Sequence, residues 1–322
     1  MELAMVIVLF LAGIIFIVKG GDYFVDAASW IAEVSGIPKL IVGATIVSLA
    51  TTLPEMLVSV MAAAKGSVDM AIGNAVGSVT ANIGLIMAIS LICMPGVIKR
   101  ADYLMKSILM LAAAILIVMA GMAGEMGTAL TVAMVIVFLF FLWENVSSAL
   151  RSMKTNGDTE PRRKVSGKKE VAANLVKFVV GAIGIVWGAD LLVDNGSALA
   201  SMVGIPERVI GVTIIAVGTS LPELVTTITA IIKKQSSLSA GNILGANIID
   251  LTLILPLSSL VSGKALPIAE TSARFDLPAC LLVGCIALIP AMLFKKFQRW
   301  QGLLLLAVYA VYLYLTCFVS AA

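Results

Sequence analysis

GIPKLIVGATIVSLATTLPE, residues 36–55, returns as GIPERVIGVTIIAVGTSLPE, residues 204–223, at an offset of 168 that pairs Glu55 with Glu223. The same offset pairs Gly20 with Gly188, Asp22 with Asp190 and Asp26 with Asp194 upstream. Downstream it pairs Gly73-Asn74 with Gly241-Asn242, Gly77 with Gly245, and Asn82 with Asp250, with no gap over residues 20–95. So many matches in one register mean two copies of one unit. Duplication alone does not explain why the best-matched stretches are the polar ones.

Those polar stretches lie in a very apolar chain. Its 322 residues are 60% hydrophobic and 13% charged, with a mean hydropathy of +1.08. Soluble domains run near about 45–50% apolar and about 25% charged. The apolar residues come in runs long enough to cross a hydrocarbon core of roughly 30 Å. Lipid offers the backbone no hydrogen-bond partner, so such runs are helices, and the alternation of a membrane β-barrel is absent. The fold class is therefore an all-α polytopic membrane protein. Reading apolar runs between polar breaks gives ten spans, at 3–30, 38–64, 69–94, 103–122, 127–149, 170–200, 206–232, 237–261, 274–294 and 299–319. The run Ala4 to Val18 has Glu2 where a signal peptide has a basic start, and it is read as a retained helix. Cys93, Cys280, Cys285 and Cys317 all sit in apolar segments and read as small buried hydrophobes. The absence of histidine removes the commonest proton shuttle and transition-metal ligand.

Charge sets the orientation. The stretch 151–170 holds Arg151, Lys154, Arg162, Arg163, Lys164, Lys168 and Lys169, and the positive-inside rule places it in the cytoplasm. Five spans precede it, so both termini lie outside. Lys39, Lys99, Arg100, Lys106, Lys233, Lys234, Lys295, Lys296 and Arg299 then fall at cytoplasmic ends, and only Lys65, Arg208, Lys264 and Arg274 fall outside. The expected division is a first five-helix repeat (1–150), a basic cytoplasmic loop (151–169) and a second five-helix repeat (170–322). Two consecutive units of five spans enter the membrane from opposite sides, so the repeat is inverted. Inverted repeats place substrate sites near the midplane, where the units meet.

The chemistry concentrates in TTLPE, Thr51 to Glu55. A carboxylate at mid-membrane costs about 2.5–3.5 kcal/mol on insertion scales. Pro54 removes a backbone donor and breaks the helix, freeing carbonyls near Ala50 and Thr51. Carbonyls, hydroxyls and a carboxylate together are the ligand set of hard cations such as Ca²⁺ and Na⁺. The second copy repeats it with Thr219, Ser220, Pro222 and Glu223. Thr and Glu stand four apart in both copies, on one face if helical. Asn74, Ser78 and Asn82 form a stripe in the third span, matched by Asn242, Ala246 and Asp250 in the eighth. Gly73, Gly77, Gly84, Gly241 and Gly245 allow close helix approach. Asp22, Asp26, Asp190 and Asp194 are read as orienting the long first and sixth helices, with an ion approach path as the alternative. Lys19 and Lys177 are placed to snorkel or pair nearby.

At these residues the chain resembles the cation/calcium exchanger superfamily, and within it the sodium/calcium exchangers of prokaryotes. GATIVSLATTLPE with GVTIIAVGTSLPE, and GNAVGSVTAN with GNILGANIID, look like its two alpha-repeats. The resemblance implies an antiporter moving Ca²⁺ against Na⁺ by alternating access, with no cofactor and no enzymatic activity. It implies ion ligands at Glu55, Glu223, Asn82 and Asp250, and hydroxyl ligands at Thr51, Thr52, Ser78, Thr219 and Ser220. Ala50 and Ala216 complete the candidate set. The acid at Asp250 leans toward sodium coupling, because proton-coupled relatives tend to carry an amide there. Ala246 departs from the family by lacking a serine hydroxyl, Ala50 stands where Gly is usual, and Val79-Thr80 replace a commoner Asn-containing pair. The expected partners are the two ions and membrane lipid, with no nucleic acid; the expected form is a monomer in the cell's inner membrane. The alternatives are a Ca²⁺/H⁺ antiporter, a K⁺-dependent exchanger, a passive cation channel and, more remotely, an intramembrane enzyme.

Overall fold

The computed structural model describes residues 2–95, 100–155, 167–202 and 220–316. Eleven helical stretches follow one another among them. They are α1 (Glu2–Ser35), α2 (Lys39–Thr51), α3 (Leu53–Ala64), α4 (Val68–Cys93), α5 (Arg100–Ala123), α6 (Thr128–Thr155), α7 (Lys168–Met202), α8 (Leu221–Ile232), α9 (Ser236–Ser262), α10 (Ser272–Phe294) and α11 (Arg299–Tyr314). Seven of these are long and apolar enough to cross a membrane, and α2 with α3 makes an eighth if the bent pair is one span. The run read from sequence as 206–232 is described only from residue 220 onward, and Cys317 lies outside the described residues.

The predicted break is present. α2 and α3 meet at 48° across Thr52. Pro54 falls in the first turn of α3, where a missing N–H costs nothing, so the helix restarts there rather than continuing. The carbonyl of Ala50, four residues back, thereby loses its helical donor. Pro222 occupies the same place in α8. Glu55 and Glu223 each sit in the first turn of a short helix, at the positive end of its dipole.

α4 and α9 form the centre, with 72% and 78% of an apolar 18-residue stretch of each buried, whereas the corresponding stretches of α1, α6 and α7 are only 17% buried. The apolar outer faces of α1, α6 and α7 suit lipid. Both central helices change pitch at repeat-related points. A π-helical turn begins at Asn82 in α4 and at Asp250 in α9. Such turns re-aim the side chains that follow and gather at functional sites. α2 lies on α9 in near-backbone contact: a Cβ on Gly241 would fall 2.1 Å from the Leu40 carbonyl oxygen, and one on Gly245 2.6 Å from that of Ala44. The equivalent Gly73 and Gly77 meet nothing among the described residues, whereas Gly84, further along α4, packs against Tyr309, where a Cβ would fall 2.9 Å from the side chain. A two-stranded pairing of Glu125–Met126 (β1) with Leu266–Pro267 (β2) joins the α5–α6 and α9–α10 connections.

One expectation needs correction. Cys93 is exposed rather than buried, because it ends α4; Cys280 is buried and Cys285 intermediate. Lys106, counted among the cytoplasmic-end charges, is fully buried and its ammonium donates to Glu144 at 2.7 Å, a partner 38 residues away. Asp22 and Asp26 pair with Lys233 of the second half.

Candidate functional site

The break at Thr52, the first turn of α8 and the two π-turns bring one set of polar groups together at the centre. Glu55, Glu223 and Asp250 are each 1% exposed. The charges acting on Glu55 are those of Glu223 and Asp250, so the three acids form one electrostatic group. Neither oxygen of Glu55, neither oxygen of Asp250, nor Oε2 of Glu223 has a hydrogen-bond partner among the described residues. No lysine or arginine among the described residues pairs with any of the three. Buried oxygens in this condition are costly unless something else satisfies them.

Hydroxyls and amides surround the acids. Thr52 donates to Glu223 Oε1 at 3.4 Å, across the two halves, and the Thr51 hydroxyl is within reach of the same carboxylate. Thr51 also donates to Asn242 Oδ1 at 3.3 Å; the amide of Asn242 donates onward to Thr226 at 2.9 Å. The bend at Thr52 separates Thr51 from Glu55, so the two do not share the single face a straight helix would give. Among the described residues, the buried hydroxyls of Ser78 and Ser220 have no partner. Asn82 donates its amide to Asn247 Oδ1 at 3.1 Å, and its own Oδ1 has no partner among the described residues. Ala50 is half-buried beside the bend. Thr219 and Ala216 lie outside the described residues.

Among the described residues no three acidic or cysteine side chains converge as a ready-made ion cage. The oxygen supply has to come from mixed groups, one or two carboxylates with hydroxyl, amide and main-chain oxygens. That mixture suits hard cations.

Asn74 and Asn242, read from sequence as members of the stripes, tie the site to its supports. Asn74 donates to the Glu55 carbonyl at 3.1 Å and to Ser59 at 2.9 Å, anchoring the first turn of α3 to α4. Asn247 escaped the sequence reading. It lies five residues after Asn242, off the fourfold stripe, and its repeat partner is Val79, so neither pattern marks it. An amide inside a fully apolar stretch was the available signal.

Comparisons with known proteins follow the same lines. The family model described as sodium/calcium exchanger protein matches residues 5–146 and 173–318. The sodium/calcium exchanger MaX1 of Methanosarcina acetivorans is 31% identical over 94% of this chain and 96% of its own. The inner membrane protein YrbG of Escherichia coli K12 is 31% identical over 86% of each chain. Among solved structures, the sodium-calcium exchanger NCX_Mj soaked with 2.5 mM Na⁺ and 0.1 mM Ca²⁺ superposes with a TM-score of 0.76 at 29% identity, covering 95% of this chain and 97% of that one.

Proposed function

Since the chain belongs to the sodium/calcium exchanger family, we propose that it is a Na⁺/Ca²⁺ antiporter whose ions bind among Glu55, Glu223, Asp250 and their neighbouring oxygens. The observation that carries this is the set of buried, unpartnered carboxylate oxygens with no base beside them. Each buried charge costs several kcal/mol on the order of membrane insertion scales. One Ca²⁺ neutralises two carboxylates; Na⁺ ions on neighbouring oxygens do the same. Either cargo offsets the cost and the empty site does not, so the loaded carrier crosses between states and the empty one does so reluctantly. That difference enforces exchange.

Ligands are assigned to Glu55, Glu223, Asp250, Asn82, Thr51, Thr52, Ser78, Thr219 and Ser220, with main-chain oxygens of Ala50 and Ala216. Glu55 and Glu223 supply the charge that Ca²⁺ needs. Asp250 supplies the additional charge that favours Na⁺ over H⁺ as the counter-ion.

The proposed topology is ten spans, N-out and C-out, in two inverted five-helix repeats either side of the basic loop, in the cell's inner membrane. Four contacts support it, since each joins segments the count puts on one side. Trp30 donates to Glu170 at 2.9 Å, Lys39 to Gln235 at 2.8 Å and Tyr103 to the Ala291 carbonyl at 2.7 Å, all at cytoplasmic ends. The β1–β2 pairing joins two outer connections.

The test is Ca²⁺ uptake into proteoliposomes loaded with Na⁺ or with choline, each with and without a proton ionophore. Uptake that needs internal Na⁺ and ignores the ionophore is the expected result. Uptake indifferent to Na⁺ and abolished by the ionophore would make the counter-ion H⁺.

A further inference from the structure

The aspartates paired by the repeat are in different situations in the two halves. On α1, Asp22 and Asp26 both hold Lys233 at the end of α8. Its ammonium lies 3.2 Å from Asp22 Oδ1 and 2.8 Å from Asp26 Oδ1, and donates to the Asp22 carbonyl at 2.9 Å. Shape seats α1 there too. Gly21 approaches α8 so closely that a Cβ on it would fall 2.8 Å from Thr229 Oγ1 and 2.9 Å from Val225 Cγ1.

The offset of 168 names the equivalent groups in the other copy: Asp190 and Asp194 on α7, Lys65 just past α3, Leu57 and Met61 on α3, and Ala189 in place of Gly21, so the charged groups recur and the close glycine approach does not. Among the described residues, Lys65, Asp190 and Asp194 form no ion pair. Leu57 and Met61 are 58% and 53% exposed, whereas Thr229, the counterpart of Met61, is 9% exposed. One seat is filled and its twin is bare.

α1 and α7 are themselves joined along their length. A Cβ on Gly20 would fall 2.8 Å from the Ile185 nitrogen, and one on Gly188 2.8 Å from the Gly13 carbonyl oxygen. Helices in backbone contact at two such points are close-packed against each other and resist sliding independently.

Resting on the exchange reading and the inverted repeat above, we propose that Lys65 with Asp190 and Asp194 is a second ion-pair seat, formed when the α1–α7 body moves toward the opposite membrane face and the Lys233 seat opens. Inversion of the repeat puts the two seats at opposite faces, Lys233 at the cytoplasmic end and Lys65 at the outer end. The two end states of the cycle are then held by the same chemistry taken from different copies. Each ion pair is partly exposed and therefore weak, worth roughly threefold to fivefold in the ratio of the two states. A weak hold suits a carrier that must release it on every cycle.

The experiment uses the full chain with its four cysteines replaced, reconstituted in vesicles, carrying either Lys233→Cys with Asp26→Cys or Lys65→Cys with Asp194→Cys. Both pairs should form disulfides, each should stop ion flux until reduced, and changing the ion gradient should move their yields in opposite directions. If the Lys65/Asp194 pair never cross-links while Lys233/Asp26 does, or if the two yields rise and fall together, the second seat does not exist. A charge test accompanies it. Lys65→Met should raise the Lys233/Asp26 yield and Lys233→Met the Lys65/Asp194 yield, each roughly threefold; no change in either direction counts against the proposal. Cross-linking is read on a gel and does not depend on which ion is carried. Ca²⁺ flux without Na⁺ dependence would therefore overturn the exchanger reading while leaving the seats standing.

Discussion

α4 and α9 carry the two copies of one sequence repeat, yet every residue of α9 from Leu238 to Asp250 is buried, while α4 leaves Asp69 and Met70 exposed and Asn74 half-covered. The glycine face of α9 is filled by α2, backbone against backbone. Their chemistry has diverged as well. Where α4 carries Ser78, Val79 and Asn82, α9 carries Ala246, Asn247 and Asp250. The first copy offers a hydroxyl and an amide; the second offers a second amide and an acid. The polar groups then meet across the copies, Thr52 on Glu223 and Asn82 on Asn247. The sequence repeat shows in where the polar residues stand along each helix. The hydrogen bonds join unlike positions of its two copies.

Removing a shared acid tests this comparison most severely. Glu55→Gln or Glu223→Gln should each lower Na⁺-driven Ca²⁺ uptake by about two orders of magnitude or more, the scale of losing one partner of a buried charge interaction. Both variants should melt at a higher temperature than the parent in ion-free detergent, because a buried uncompensated charge is gone. Normal uptake in a folded Glu55→Gln protein would remove that residue from the site.

Making the copies alike at their divergent position comes next. Asp250→Asn should weaken Na⁺ dependence by roughly tenfold or more, since a charged ligand is worth about 1.5–3 kcal/mol. Uptake by this variant that becomes sensitive to a proton ionophore would sharpen the role of Asp250 in ion choice. Unchanged Na⁺ activation would show that the asymmetry at this position is incidental.

A smaller effect is expected at Asn247, whose Oδ1 accepts from the Asn82 amide and so fixes the direction of Asn82 Oδ1, a ligand in the proposed site. Asn247→Leu should raise the half-saturating Ca²⁺ concentration by roughly fivefold, the worth of one buried hydrogen bond, with maximal flux less affected. An unchanged half-saturating Ca²⁺ concentration would show that Asn82 does not depend on this acceptor. The smallest change is at Ala246. Ala246→Ser restores the hydroxyl that Ser78 supplies in the first copy, and should lower the half-saturating Na⁺ concentration about twofold to threefold. No change in Na⁺ titration would mean that position 246 does not face the ions.

Much of this was legible in the chain itself. The break before Pro54, the acid that follows it and the polar stripe of α4 are local patterns, readable from spacing and from the cost of burying charge. What escaped was pairing at a distance. The charge pattern places Lys106 at a helix end and says nothing of its partner, Glu144. Asp22 and Asp26 read as orienting the first helix, but nothing local names Lys233 of the second half as the group that holds them. Asn247 follows neither the fourfold spacing nor the repeat. The π-turns at Asn82 and Asp250 alter the helical phase without any residue that announces them.

By itself, then, the sequence determined the duplicated unit, the apolar helices and the presence of acids that lipid cannot tolerate unpaired. Those follow from periodicity and solvation, which act along one segment at a time. Which carboxylates remain without partners, which lysine holds α1, and which amide steadies Asn82 were decided only in the tertiary structure. Such choices depend on how closely helices from different copies approach, and that distance is set by side chains far apart in the chain.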